Sequence, residues 1–204
     1  ISTLDALLPQ GGLPRGRTTE WTGPRSSGKT TLLRAMLERV RGTGESVAIV
    51  DADRTLYAPD WSGLENGAGR FWIIRPPSEQ EAIWCTDLIL RSGAFGSVTL
   101  SHDSVMRRPV TVRLQRLAEE ADAVFITLGE VPVAALRLRF RPGRIEPVIS
   151  RPFGPFLPSL RPVWIQVGAG EEAEVPILCP PPFRWSWETS RDRKGPEGSG
   201  VALA

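Results

Sequence analysis

The 204 residues are 41% hydrophobic and 24% charged, which excludes a disordered or fibrous chain and leaves room for one good core rather than two full domains. Lys+Arg 25 against Asp+Glu 23 gives a net charge of +2, which permits anionic partners without arguing for them. No run approaches the ~18 apolar residues of a membrane span, no secretory signal is visible, and Cys85 and Cys179 lack metal-ligand spacing, so the sequence reads as a reduced, cytoplasmic chain with no membrane partner.

Residues 2–8 read as a short helix, with Ser2 as its cap and Asp5 where a capping-box partner would sit. A turn over residues 11–16 leads into a strand at 17–22, rich in Thr and Trp. Next, Gly23-Pro24-Arg25-Ser26-Ser27-Gly28-Lys29-Thr30 is a full match to the phosphate-loop pattern G-x-x-x-x-G-K-[ST]. The chemistry needs this spacing. Glycines let the backbone form a nest whose N–H groups face phosphate oxygens, and the following helix adds its positive dipole end. Lys29 supplies a point charge for the β- and γ-phosphates, and the Thr30 hydroxyl is placed for Mg²⁺. Lys29 and Lys194 are the only lysines in a chain that otherwise uses Arg, so a Lys stands where such a loop requires one. Residues 31–40 then show helical spacing through Leu32, Leu33, Met36, Leu37 and Val40, ending near Gly42 and Gly44.

Downstream, strands are expected at 46–50, 71–74, 97–101 and 123–127. Asp51-Ala52-Asp53 sits at the carboxyl end of the first of these. Ser78 and Glu81 form a capping box for a helix to about Arg91, and Pro109 fits the first turn of a helix reaching Glu120. Alternation of strands and helices implies an α/β fold with a buried parallel sheet. After Pro132 the pattern becomes Leu136-Arg137-Leu138-Arg139-Phe140-Arg141, the strict alternation of a half-buried strand, followed by strands at 145–150 and 163–167 in a C-terminal antiparallel meander. Pro-rich stretches at 152–162 and 176–182 punctuate it. Residues 1–189 are expected to form a single core domain and 190–204 a mobile tail.

Ser2-Thr3-Leu4-Asp5, then Gly11-Gly12-Leu13-Pro14-x-Gly16-Arg17, then Gly23-Pro24-x-Ser26-Ser27-Gly28-Lys29-Thr30-Thr31 resemble the opening of a RecA-type recombinase core. The likeness runs on through Val50-Asp51-Ala52-Asp53 and Arg91-Ser92-Gly93-Ala94 to the meander, about residues 1–170. The resemblance implies ATP or ADP with Mg²⁺ on Gly23, Pro24, Arg25, Ser26, Ser27, Gly28, Lys29, Thr30 and Thr31, with Thr30 holding the metal alongside the nucleotide. It also places Tyr57 against adenine, although Tyr57 reads equally as a surface aromatic.

Three positions depart from the RecA pattern. Asp53 replaces the Glu that activates water, Ser101 replaces the Asp of the metal shell with Asp103 two residues on, and Leu128 replaces a Gln that senses the γ-phosphate. Hydrolysis depends on fine placement, so each departure implies a large loss of rate. Asp53 and Asp103 read either as residual catalytic carboxylates or as solvated strand ends; His102 reads as a strand-end residue. Both DNA-binding loops are expected to be cut back to turns, at 107–109 and 129–133. A small RecA-like chain with these losses is similar to the ImuA family, accessory proteins of bacterial translesion mutagenesis.

That likeness implies an adaptor recruited to the nucleoid, with an ImuB-type polymerase homologue as partner and RecA and an error-prone DNA polymerase as further ones. A DNA-dependent ATPase or recombinase paralogue is the alternative; a phosphate-loop kinase lacks an acceptor site. The chain begins at Ile1, immediately before the core that resembles RecA, and no self-filament is expected. The arginines from 137 to 161 suit phosphate, hence weak non-specific DNA, or a solvated face. Phe183, Trp185 and Trp187 close the core or anchor a protein partner.

Overall fold

The computed structural model describes residues 2–57, 60, 61, 63, 64, 68–143, 159–170 and 172–179. Helix α1 (Ser2–Leu7) is followed by a short 3-10 turn at Pro9–Gly11. Strand β1 (Thr18–Thr22) feeds the phosphate loop and helix α2 (Lys29–Gly42). Then come β2 (Val47–Asp51), β3 (Phe71–Ile74), α3 (Glu79–Ser92), β4 (Ser97–Ser101), α4 (Arg108–Glu120) and β5 (Val124–Leu128). Strands β6 (Leu136–Pro142), β7 (Ser159–Val167) and β8 (Glu172–Cys179) complete the described chain.

All strands join one eight-stranded sheet in the order β3-β2-β4-β5-β1-β6-β7-β8. From β3 to β6 every pairing is parallel; β7 and β8 add on antiparallel. The mixed α/β architecture expected from the sequence is therefore present, with helices on both faces. Alternation along the strands splits the core in two. Val47 and Ile49 of β2 and Ile126 of β5 face α1 and α2, against Leu4, Leu32, Leu33 and Leu37. Ala48, Val50 and Phe125 face α3 and α4, against Ala82, Leu90, Leu114 and Ala118. Two-sided burial is why β2 and β4 are buried at every residue, as parallel strands covered by helices must be.

The caps follow sequence logic. The Ser78 side chain accepts from the Glu81 N–H, and Gly93 ends α3 in the left-handed conformation.

Several expectations need correction. Helix α2 starts at Lys29, inside the phosphate-loop motif, because Gly28 already serves as its cap residue. The link between β4 and α4 runs over residues 102–107, not 107–109, and that between β5 and β6 over 129–135, not 129–133. Strand β6 lies parallel to β1, so the antiparallel part begins only at the β6–β7 pair. Residues 176–179 of the second Pro-rich stretch belong to β8, a strand the sequence pattern had not indicated. The expected strand at 145–150, the aromatic trio Phe183, Trp185 and Trp187, and the tail at 190–204 lie outside the described residues.

Candidate nucleotide site

The sheet order brings the carboxyl ends of β2, β4, β5 and β1 side by side, and the residues singled out from the sequence sit there. The phosphate loop leaves β1 at Gly23, whose φ of 147° is open only to glycine. A Cβ there would lie 2.4 Å from the Phe140 carbonyl oxygen, so β6 presses directly against the base of the loop. Ser26 at φ 60° and Gly28 at φ 90° turn the loop into a left-handed curl, the backbone form that aims N–H groups inward at an anion. Pro24, Arg25, Ser26 and Thr30 are exposed, Thr31 is half-buried, and Ser27 is buried with no hydrogen-bond partner for its hydroxyl among the described residues.

Lys29 folds back, its Nζ donating to the Gly23 carbonyl at 2.9 Å. Burial lowers its pKa, while nearby Asp103 and Asp53 oppose that shift by favouring the cation. The loop, its lysine and two carboxylates therefore form one electrostatic unit.

Asp53 comes to this unit through a turn after β2. The Ala52 N–H donates to the Ser101 carbonyl at 3.2 Å, and Arg54 takes φ 55°. The Asp53 carboxylate accepts from the Ser101 hydroxyl at 2.7 Å. Two positions that read in the sequence as departures from the RecA pattern are thus bonded to each other. Burial raises the Asp53 pKa, with Ser101 opposing and Asp103 reinforcing.

Beneath the turn, Asp51 is fully buried. Its carboxylate accepts from the N–H of Thr55 at 3.0 Å, the N–H of Leu56 at 3.3 Å and Arg75 Nε at 3.1 Å. Arg75 also donates to the Leu56 carbonyl. Sequence reasoning noted Asp51 only as a strand end and missed Arg75. Two donors on one buried carboxylate from its own loop are a local signal, but the Arg partner 24 residues on is visible only in the fold.

The other residues are placed as follows. Asp103 is exposed beside the site. Tyr57 is exposed to 66% and makes no ring contact among the described residues. His102 is buried just after β4, its Nδ1–H donating to the Ser104 carbonyl at 2.8 Å. Leu128 is buried and closes β5 without a polar group. Gly129 lets the two short links meet, since a Cβ there would lie 2.3 Å from the His102 carbonyl oxygen.

Buried Glu20 in the middle of β1 accepts from Arg137 Nη1 at 2.6 Å and from the Val131 N–H at 2.8 Å. Arg137 also donates to the Val131 carbonyl at 3.0 Å. Arg141 pairs with Glu172. Of the three arginines on the β6 stripe, only Arg139 has no ion pair or hydrogen bond among the described residues; Arg144 and Arg151 lie outside them, as does the side chain of Arg161. The stripe is thus largely committed within the fold. A polar cleft of about 770 Å³ adjoins Gly23, lined in part by Arg139, Arg141 and Gln166. An apolar cavity of about 410 Å³ beside Leu4, Met36 and Val124 lies at the opposite end of the sheet from the phosphate loop.

Comparison with known proteins bears on this arrangement. The model of the RecA N-terminal domain matches residues 2–109. Among curated proteins, the chain is 39% identical over 102 residues to Protein RecA of Bordetella avium, covering 50% of this chain and 28% of that protein. It is 35% identical over 103 residues to Protein RecA of Dichelobacter nodosus, covering 50% and 29%, and 36% identical over 103 residues to that of Deinococcus radiodurans, covering 50% and 28%. The match spans less than a third of the length of these relatives.

Proposed function

Since the chain belongs to the RecA N-terminal-domain family, we propose that it binds ATP or ADP with Mg²⁺ on residues 23–31, hydrolyses it very weakly or not at all, and serves as a non-recombinase adaptor. One observation carries this reading: a complete phosphate loop stands over strand ends that carry Ser101 and Leu128. The residues fit Mg²⁺–nucleotide in part. Thr30 is exposed at the first turn of α2, Lys29 lies at the loop, and Asp53 supplies a carboxylate. When bound, the metal would shield phosphate charge. This chain's residues would hold the phosphates, and Asp103 and Asp53 oppose the loss of charge that burial favours at Lys29.

The adaptor half of the proposal assigns an ImuB-type polymerase homologue as partner, and RecA and an error-prone DNA polymerase as further ones, in translesion synthesis. It is supported by β3, which among the described residues is an edge strand of the sheet. Trp72 on edge strand β3 is 45% exposed, and Trp84 and Leu88 on α3 are 61% and 44% exposed. Between β3 and α3 runs a groove of about 570 Å³ lined by Trp72, Leu88 and Phe95. An uncovered apolar edge of this kind suits a protein partner. Among the described residues no helix is long and apolar enough to cross a membrane.

A second reading, a DNA-dependent ATPase or recombinase paralogue, is favoured by the relatives above, each of which is a Protein RecA. Calorimetric titration with ATP and Mg²⁺ tests the nucleotide half. Measurable binding is expected; no heat at millimolar nucleotide would overturn it. For the adaptor half, Trp72→Ala with Trp84→Ala is expected to weaken capture of a purified ImuB-type polymerase homologue. Unchanged capture removes this edge from the proposal.

A further inference from the structure

We infer that Asp53, held in place by Ser101, supplies the protein carboxylate of the Mg²⁺ shell at the phosphate loop, a duty moved from the end of β4 to the turn after β2. The inference rests on the nucleotide-binding reading above and assigns roles within that site.

Three observations lead to it. First, β2 and β4 pair directly, with Asp51 opposite Ser101, so a turn of two residues suffices to carry a side chain from β2 over the end of β4. The Ala52 N–H bond to the Ser101 carbonyl fixes that turn, and Asp51 with Arg75 fixes the backbone beyond it. Asp53 is thus placed by backbone on both sides rather than by its own reach.

Second, the hydroxyl of Ser101 donates to Asp53 Oδ2 at 2.7 Å, leaving Oδ1 without a hydrogen bond among the described residues. A carboxylate at position 101 would repel Asp53; a hydroxyl instead orients it and leaves one oxygen free for a cation. Third, an Asp is one methylene shorter than a Glu, about 1.5 Å, so its carboxylate stays nearer the strand end. Asp53 follows the carboxyl end of β2, which lies in the same row of strand ends as β1, from which the phosphate loop leaves.

Asp53 would act on the bound metal, and Ser101 is a positioning residue acting through Asp53. The test is fluorescence titration of the full chain with N-methylanthraniloyl-ATP, in Mg²⁺ and in EDTA, reading the ratio of the two affinities. For the unsubstituted protein Mg²⁺ should tighten binding at least about tenfold. Asp53→Asn should bring the ratio to within about twofold of one, with EDTA affinity equal or better, since a negative charge is gone. Ser101→Ala should cut the ratio about threefold or more, and Ser101→Thr, which keeps the hydroxyl, should restore it.

A full Mg²⁺ effect in Asp53→Asn overturns the inference and leaves the nucleotide reading intact, as does binding by the unsubstituted protein with no Mg²⁺ effect. If Asp53→Asn fails to fold by circular dichroism, the serine pair decides: an unchanged ratio in Ser101→Ala overturns it. No binding of the probe by the unsubstituted protein at millimolar concentration, with or without Mg²⁺, overturns the nucleotide reading and this inference with it.

Discussion

Lys29 and Asp53 are the two residues at which the electrostatics of the site can be read most directly. Lys29 is the loop's point charge, so Lys29→Ala is expected to weaken ATP binding at least tenfold, about 1.4 kcal/mol, by titration calorimetry. Equal affinity of the variant would mean that the loop backbone alone holds the phosphates. Asp53 gives a pH-dependent counterpart. Burial raises its pKa, so the ionised form costs the folded protein stability. That cost is absent below the ordinary carboxylate pKa, where folded and unfolded chains both hold the proton. It grows as pH rises between the ordinary and the raised value, and it is complete above. Asp53→Asn without nucleotide should therefore melt about 1–3 °C higher than the unsubstituted chain at neutral pH, with the gap closing as pH falls to about 4. A gap that does not change with pH would assign the effect to packing instead.

Elements are held in register by a few buried polar groups, and these were the hardest features to see in the sequence. Glu20 sits inside a strand whose other residues read as core, and its partner Arg137 lies 117 residues on. The pair pins the link at residues 129–135 through the Val131 N–H and carbonyl. Arg137→Ala leaves Glu20 buried and unpaired, and should cost about 2–3 kcal/mol in urea unfolding, below the range for fully buried pairs because Arg137 is half exposed. A cost under about 0.5 kcal/mol would mean that water reaches Glu20.

The strands of the parallel half, the phosphate loop and the N-terminal cap of α3 were legible because each depends on local pattern: apolar runs, glycine spacing and a Ser three residues before a Glu. Strand β8 was not, since Pro162 and Pro176 looked like breakers. They stand opposite each other in the β7–β8 register, where Pro162 needs only its carbonyl, which accepts from Gly143 at 3.0 Å. The link after β4 was read too short, although the strand end at 101 was placed correctly; buried His102 and Met106 belong to that link. The Ser101–Asp53 bond joins two positions that read as separate losses, 48 residues apart, and only the β2–β4 pairing makes them one feature.

The chain matches the RecA N-terminal domain over residues 2–109, and the ends of its β4 and β5 strands carry Ser101 and Leu128. The β4–α4 and β5–β6 links are six and seven residues long, from 102 to 107 and from 129 to 135, and the second is tied down by Glu20 and Arg137. Two of the three β6 arginines are held in internal pairs. DNA affinity is accordingly expected to be weak, without sequence preference, and to fall steeply as salt rises, as measured by fluorescence anisotropy of a labelled single strand. Tight binding that survives high salt would instead require a base-stacking surface. On the proposed reading the core binds nucleotide without turning it over. Phosphate release by the full chain at saturating ATP and Mg²⁺, with and without single-stranded DNA, is the decisive measurement. Turnover well below ~0.1 s⁻¹ with no stimulation by DNA is expected; DNA-stimulated turnover at or above ~0.1 s⁻¹ would contradict that reading.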